Sequence, residues 1–160
     1  MLADGPATRA LPDKTFSHLL GSCGVTFCAA PKLAAKLRRG FPRSLHLAPA
    51  LLPTENTTLR MALEKWFDSV GVKPLIVAEF EDSALMKAVA VDIQGFIPVP
   101  SVVASESARH YGFKRIGDVE ACSCEFYAIT VERKHKHPAA VAITEGAKVG
   151  LSASGRVARA

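Results

Sequence analysis

Apolar runs alternate with amphipathic segments through the middle third of the sequence, and this alternation constrains the fold most. Ala48–Leu52, Leu75–Phe80 and Gly95–Pro100 are short and apolar, as buried strands are. The segments between them carry apolar residues at helical spacing. Strand, helix, strand, helix, strand in this order predicts an α/β fold with a parallel sheet and right-handed crossovers.

The stretch Leu51–Arg60 joins a strand end to a polar turn and a helix start. Pro53 has no N–H for a sheet ladder, so it closes the strand. Thr54, Asn56 and Thr57 are residue types that cap helix N-termini. Such a turn either only caps the helix or also seats a small anion or polar ligand against the free backbone N–H groups. The sequence leaves both interpretations open.

Three polar turns follow the predicted parallel strands. They are Pro53–Thr54, Phe80–Asp82 and Val99–Ser101. Ligands of parallel sheets bind beyond the carboxyl ends of the strands, so we expect these turns to share one edge of the sheet. The acids at the second turn are more typical of a solvated helix cap than of a catalytic carboxylate pair.

The flanking segments predict further elements, with a loop at residues 7–14 and no internal repeats. The predictions are a strand at Gly24–Ala30, a helix at Pro31–Arg39, a helix at Val102–Tyr111, a brief strand or loop at Lys114–Val119, a strand at Glu125–Glu132 and a helix at His137–Gly150.

The composition is that of an ordinary globular chain. Its 160 residues are 49% hydrophobic and 22% charged, which suits one domain or two small lobes. No apolar run approaches the roughly 20 residues of a membrane span, and the N-terminus does not resemble a signal peptide, so a cytoplasmic location is expected. The G-x-S-x-G, H-E-x-x-H and phosphate-loop motifs are absent, so an enzyme is not expected.

A run of basic residues accounts for much of the formal net charge of +5. Its members are Lys32, Lys36, Arg38, Arg39 and Arg43. No acidic residue occurs between Asp13 and Glu55. The run is typical of the solvated side of a surface helix, with Leu33 and Leu37 facing inward, and contact with nucleic acid is the alternative.

Four cysteines and two late histidines are the candidate metal ligands of the sequence. The cysteines are Cys23, Cys28, Cys122 and Cys124. Their C-x4-C and C-x-C spacings fit structural zinc sites poorly, so we predict reduced core or strand residues. His135 and His137 are expected in a solvated loop. The sequence therefore predicts no metal site and no cofactor.

Six segments, in order, resemble the effector-binding domain of LysR-type transcriptional regulators over about residues 2–148. They are Leu2–Pro6, Leu51–Arg60, Trp66–Phe67, Glu79–Lys87, Phe126–Arg133 and His137–Pro138. Within that family the likeness is to regulators of sodium/proton antiporter expression.

The resemblance implies an α/β, periplasmic-binding-protein-like domain of two lobes, with lobe I incomplete. Gly24–Ala30 and Gly95–Val99 match the two strands that cross between the lobes. Lobe I is expected to comprise residues 1–27 and 98–150, lobe II residues 31–96, and a disordered tail residues 151–160.

A small-molecule or ion effector is expected in the cleft between the lobes of this family. The positions implied as effector contacts are Thr54, Glu55, Asn56 and Thr57 at the helix start, and Phe80, Asp82 and Val99 on the hinge side. The implied partners are further copies of the chain or subunits of a full-length regulator.

The sequence departs from the family pattern in two ways. We expect the winged helix-turn-helix, the linker helix and the first lobe I strands to be missing, so DNA would be read only through that missing part. A Gly-x-Gly before the second crossover strand is replaced by Ile93-Gln94-Gly95, next to Asp92. Ile93 is β-branched and is strained in a left-handed conformation, so we expect the turn to be reshaped or to have drifted without selection.

Three hypotheses follow. The first is an effector-sensing and oligomerisation domain of a LysR-type regulator. The second is a small α/β solute-binding lobe or enzyme that uses the same edge of the sheet, and the third is a non-functional fragment of a regulator gene.

Overall fold

A computed structural model describes residues 2–3 and 16–130. The strands are β1 Leu2–Ala3, β2 Phe16–Ala29, β3 Pro49–Pro53, β4 Leu75–Phe80, β5 Ile97–Pro100 and β6 Lys114–Thr130. The α-helices are α1 Pro31–Arg38, α2 Thr58–Ser69, α3 Ser83–Ala90 and α4 Ala104–Tyr111, with 3-10 helices at Arg43–Leu45 and Ser101–Val103. The predicted loop at residues 7–14, the helix at 137–150, the loop around His135 and His137, and the tail at 151–160 lie outside the described residues.

The chain divides into two compact units, one of residues 1–23 with 124–160 and one of residues 24–123. In the first unit β1 pairs antiparallel with β6, Leu2 opposite Ala128 and Ala3 opposite Tyr127. The predicted lobes divide the chain at other positions, and their bounds stay a prediction. None of the described helices is long and apolar enough to cross a membrane.

In the unit of residues 24–123, β3 and β4 form the predicted parallel pair. The register runs from Pro49 opposite Leu75 to Pro53 opposite Phe80, with an irregularity between Ala50 and Leu51. Pro53 is the last residue of β3, as predicted. α2 connects β3 to β4 and so makes the parallel crossover. Its residues Leu63 and Phe67 are buried and lie on the side of the helix that faces the core.

The prediction that β5 is a third parallel strand was wrong. Phe96, just before β5, makes a single parallel bridge to Ala50, and β5 itself pairs antiparallel with β2. Pro98 and Pro100 have no N–H groups with which to extend a ladder to β3. The chain therefore leaves the parallel sheet after Phe96.

β6 is one strand of 17 residues, although the sequence predicted a brief element and a separate later strand. A Cβ atom at Gly117 would lie 2.7 Å from the ring of Phe41, so the glycine makes room for that ring while the strand continues. Ile116 and Val119 are buried on either side of it.

The main apolar core is a cluster of residues from β2, β3, α3 and β5, together with Phe113 just before β6. Its buried members are Cys28, Leu51, Met86, Ala90, Ile97, Val99 and Phe113. An aromatic group centred on Phe27 adjoins α2, with Phe96 edge-on at 5.3 Å and Phe67 stacked at 5.9 Å between ring centroids. These contacts hold α2 and α3 against the strands that they follow.

The turn at Ile93 is reshaped. Leu47 is the only described non-glycine residue with a positive φ, so Ile93 does not adopt the left-handed conformation. Its N–H donates to the Val89 carbonyl at 3.0 Å, and Gly95 donates to the Ile93 carbonyl at 2.7 Å. Gly95 is required by close approach, because a Cβ there would lie 2.2 Å from Leu51 Cδ1.

Candidate functional site

The carboxyl ends of β3 and β4 bring two of the predicted turns together. The Thr54 N–H donates to the Phe80 carbonyl oxygen at 3.1 Å. We call the residues Thr54–Thr57 and Phe80–Asp82 the rim. The rim carries the starts of both α2 and α3, so the backbone N–H groups of two helix N-termini open at the same edge of the sheet.

Thr57 is the N-cap of α2. Its hydroxyl accepts from the Arg60 N–H at 3.2 Å and donates to the Thr54 carbonyl at 3.0 Å. The backbone N–H of Thr57 also donates to Thr54, at 3.2 Å. The hydroxyl proton is therefore used inside the turn, and Thr57 stabilises the helix start.

Thr54 and Asn56 hold the outer part of the turn. The Thr54 hydroxyl donates to Asn56 Oδ1 at 2.9 Å. The Asn56 side-chain NH2 makes no hydrogen bond to any described residue, and neither does the carboxylate of Glu55. Both side chains are exposed. These two groups are available to a ligand without loss of a cap.

Asp82 caps α3. Its Oδ1 accepts from the N–H groups of Ala84 at 2.7 Å and Leu85 at 2.8 Å. These bonds, the one from Leu85 first, hold the pKa of the Asp82 carboxyl below its usual value. The side chain is exposed, so it remains charged at the rim at neutral pH.

Phe80 and Val99 belong to the apolar support of the rim. Phe80 is half-buried and packs against the core cluster. Val99 has no exposed surface, so its side chain lies in the core, and its place among the effector contacts stays a prediction. It belongs to the core cluster, and in β5, which pairs with β2, Ile97 and Pro98 are buried as well.

The third predicted turn has different partners. The hydroxyl of Ser101, at the end of β5, lies 3.0 Å from the hydroxyl of Thr26. Thr26 is 3% exposed and donates to Asp118 Oδ1 at 2.9 Å. Among the described hydrogen bonds, none joins Ser101 to the rim.

Arg60 is the residue of this site that sequence reasoning missed. Its side chain is 2% exposed, yet it is charged. Nε donates to Glu64 Oε1 at 2.8 Å, and an Nη donates to Glu79 Oε1 at 2.6 Å and to the Pro53 carbonyl at 2.7 Å. Burial lowers the pKa of Arg60, but Glu79 and Glu64 together outweigh it and the pKa is raised. Arg60 thus ties the ends of β3 and β4 to α2 beneath the rim.

The sequence carried a partial signal for Arg60. Arg60 and Glu64 have the i, i+4 spacing of a helical ion pair. The third member, Glu79, is reached only through the parallel register that sets it beside Leu52. The carboxylate of Glu79 is therefore held by Arg60, and it does not form an acid pair with Glu81.

The rim offers several kinds of polar group to a ligand. Hydroxyl, amide and backbone N–H groups lie beside the exposed carboxylates of Glu55, Glu81 and Asp82. No group of three or more His, Cys, Asp or Glu residues in the described part of the chain is arranged to hold a metal ion. Cys28 and Cys122 are buried, as predicted, and burial raises the pKa of Cys28 to about 11.

Comparison with known sequences identifies relatives over most of the chain. The LysR substrate binding domain matches residues 3–147. The transcriptional activator protein NhaR of Escherichia coli (strain K12) is 32% identical over 140 residues, which are 87% of this chain and 45% of the relative. NhaR of Shigella flexneri gives the same values. The chain spans about half the length of these curated relatives.

Solved structures share the fold at low sequence identity. The effector domain of AmpR of Pseudomonas aeruginosa has a TM-score of 0.66 and 17% identity, over 91% of this chain and 70% of that one. The Synechocystis PCC6803 CcmR regulatory domain, in complex with 2-PG, has a TM-score of 0.57 and 12% identity, over 92% and 71%. These are effector domains with the periplasmic-binding-protein-like α/β fold that the sequence predicted. The chain belongs to the LysR substrate-binding-domain family.

Proposed function

We propose that this chain is the effector-sensing and oligomerisation part of a LysR-type transcriptional regulator, acting in the cytoplasm, and that a small molecule or ion binds at the rim. The Thr54–Phe80 hydrogen bond carries this proposal, because it joins two helix starts at the carboxyl ends of parallel strands. Membership of the family and the likeness to the activator NhaR support a regulatory role and no catalytic one.

Three groups are the proposed primary contacts. Thr54, Glu55 and Asn56 are at least partly exposed and cap no helix. Thr57 and Asp82 hold the two helix starts, while Phe80 and Val99 support the rim from its apolar side. Sodium is among the proposed effectors, because the sequence resembles regulators of sodium/proton antiporter expression.

The oligomerisation part of the proposal is supported by β4. In the described part of the chain, β4 has a hydrogen-bonded neighbour, β3, on one side. Leu75, Ile76 and Val77 are 55%, 42% and 44% exposed. An apolar edge strand of this kind pairs with other chains unless it is covered. A second copy of the chain is the proposed partner.

Thermal unfolding with defined probes tests effector binding. The chain is melted in sodium chloride and in potassium chloride at equal ionic strength, and then with a panel of small carboxylic and phosphorylated acids. A probe that binds the rim and is present at a concentration of about ten times its Kd adds about 1.4 kcal/mol to the free energy of unfolding. This corresponds to a rise in Tm of roughly 3–6 °C. Thr54→Val and Glu55→Gln are expected to reduce this rise.

Thr58→Val is the matched control. Thr58 is exposed in the first turn of α2 and makes no hydrogen bond through its side chain to a described residue. The control is expected to keep the full shift in Tm. The proposal fails if no probe raises the Tm, or if Thr58→Val abolishes the rise as completely as Thr54→Val does.

A further inference from the structure

One face of α1 presents cations alone. Lys32, Lys36 and Arg39 follow the i, i+4, i+7 spacing, and all three are exposed. The backbone of Arg39 is still helical, with φ −64° and ψ −25°, so the three residues share a face. Ala34 and Leu37 are buried on the opposite side. Of the two leucines predicted to face inward, Leu37 is buried and Leu33 is partly buried, and the basic residues are exposed as predicted.

Neighbouring elements add to this charge. Arg38 Nε donates to the Arg115 carbonyl at 3.0 Å, which sets the start of β6 beside the end of α1. The Ser44 hydroxyl donates to the Leu37 carbonyl, which holds the 3-10 helix of Arg43 against the same end. We define the basic surface as the exposed residues Lys32, Lys36, Arg38, Arg39, Arg43, Lys114 and Arg115.

The charges of the basic surface are hardly compensated. Arg115 pairs with Asp118, and it is the one member with a carboxylate partner among the described residues. Asp118 also accepts from the buried Thr26. The first turn of α1 has no acidic residue. The basic surface therefore keeps a high density of positive charge at neutral pH.

Stability does not account for this density. Like charges at i, i+4, such as Lys32 and Lys36, destabilise a helix slightly. α2 carries both signs on its exposed residues, with Glu64, Lys65 and Asp68, whereas the charged residues of α1 are all cations. A single-signed face of this kind favours an anionic partner.

We propose that the basic surface binds the phosphate backbone of duplex DNA without reading its sequence. From Lys32 to Arg39 the helix rises about 10 Å, a length over which a duplex presents about six charges. Phe41, the aromatic residue between Arg39 and Arg43, stacks on Trp66 at 6.0 Å between ring centroids and adjoins Phe27. Its ring is therefore engaged inside the chain and is not offered to single-stranded bases, which favours a duplex. This contact uses neither the rim nor β4, so it stands independently of the proposed function.

Fluorescence anisotropy across a salt series tests the contact. The full chain is titrated into a labelled duplex of arbitrary sequence and into its single strand. In the variant, Lys32→Gln, Lys36→Gln and Arg39→Gln are combined. Because each phosphate contact contributes about −0.9 to the slope of log K against log salt, the variant slope is expected to be shallower by about 2.7.

The matched control removes the same charge elsewhere by combining Lys65→Gln, Lys87→Gln and Arg109→Gln on α2, α3 and α4. The control is expected to keep the wild-type slope. An equal loss of slope in the control overturns the proposal, since net charge alone would then explain binding. Failure of the wild-type chain to bind the duplex at low salt also overturns it, including the case in which the chain binds polyglutamate instead. If the triple variant does not fold, Arg43→Gln with Lys114→Gln carries the same expectation, scaled to two charges.

Discussion

At the scale of single residues, Arg60 sets the position of the rim from beneath. It joins the Pro53 carbonyl, Glu79 and Glu64, which belong to β3, β4 and α2. The hydroxyl of Thr57, which the sequence suggested as a ligand contact, instead caps the N-terminus of α2. Local cap chemistry was predictable, whereas the burial of Arg60 depends on the register between two strands.

We predict a ranked loss of stability around Arg60. Arg60→Met is expected to lower the free energy of unfolding by about 1–3 kcal/mol, because the Pro53 carbonyl and Glu79 lose a charged donor. Glu64→Gln is expected to lower it by at most about 0.5 kcal/mol, since that pair is half exposed. The loss of unfolding free energy for Glu79→Gln is expected to lie between those two values. Urea unfolding measures all three, and a loss for Glu64→Gln equal to that for Arg60→Met contradicts the ranking.

Asp82 gives a prediction in pH. Its pKa is lowered in the folded state by the N–H groups of Leu85 and Ala84. The stabilisation is therefore present above the unfolded pKa of about 3.9 and is lost as the pH falls through the folded value. Asp82→Ser keeps an N-cap without this titration, so its urea midpoint is expected to fall less between about pH 5 and pH 2. Asp68→Ser is the control. If it flattens the pH dependence of the urea midpoint as much as Asp82→Ser does, the attribution of this dependence to Asp82 is contradicted.

At the scale of elements, the starts of α2 and α3 were predicted because the causes of helix capping are local. Thr57 and Asp82 cap α2 and α3, and Gly71 and Gly112 take positive φ values of 66° and 74° after α2 and α4. The pairing of β5 and the length of β6 were not predicted. The pairing of β5 depends on β2, which lies far away in the sequence.

Ile93, in the turn after α3, stands where the family usually has a glycine, and a substitution there tests whether that glycine would stabilise this chain. Ile93 lies outside the left-handed region, and its N–H is bonded to Val89. Ile93→Gly is therefore expected to lower the free energy of unfolding by about 0.5–1 kcal/mol, because glycine adds only unfolded-state entropy. If residue 93 were in the left-handed conformation, Ile93→Gly would instead raise the free energy of unfolding. A rise in the urea midpoint of Ile93→Gly contradicts the reshaped turn.

At the scale of the whole molecule, the exposure of β4 is not evident from its sequence. Its near-continuous apolar run is typical of a buried parallel strand. Burial depends, however, on what covers the strand, and Leu75, Ile76 and Val77 are exposed on it. Exposure of side chains on a strand depends on what packs against the faces of the sheet, which no local pattern encodes.

We predict that β4 pairs antiparallel with β4 of a second copy. In a register centred on Val77, the exposed Lys73 of one copy lies near the exposed Glu81 of the other, so the edge is self-complementary. Light scattering after size exclusion is expected to give a dimer for the wild-type chain and a monomer for Ile76→Lys. Leu85→Lys, which changes an exposed leucine on α3, is the control and is expected to remain dimeric.

A charge exchange sharpens this prediction. Lys73→Glu alone is expected to weaken the dimer, because like charges then face each other across the pair. Lys73→Glu combined with Glu81→Lys is expected to restore it. A double variant that stays as weak as Lys73→Glu contradicts the proposed register.

The measurement that tests effector binding most directly is amide chemical-shift mapping of the nitrogen-15-labelled chain. Potassium chloride is replaced by sodium chloride at constant ionic strength, and each acid that raises the Tm is then titrated. The largest shifts are expected at the amides of Glu55, Asn56 and Glu81 and at the start of α3, because these groups form or adjoin the rim. Shifts confined to α1 or β6, with the rim unchanged, would contradict effector binding at the rim.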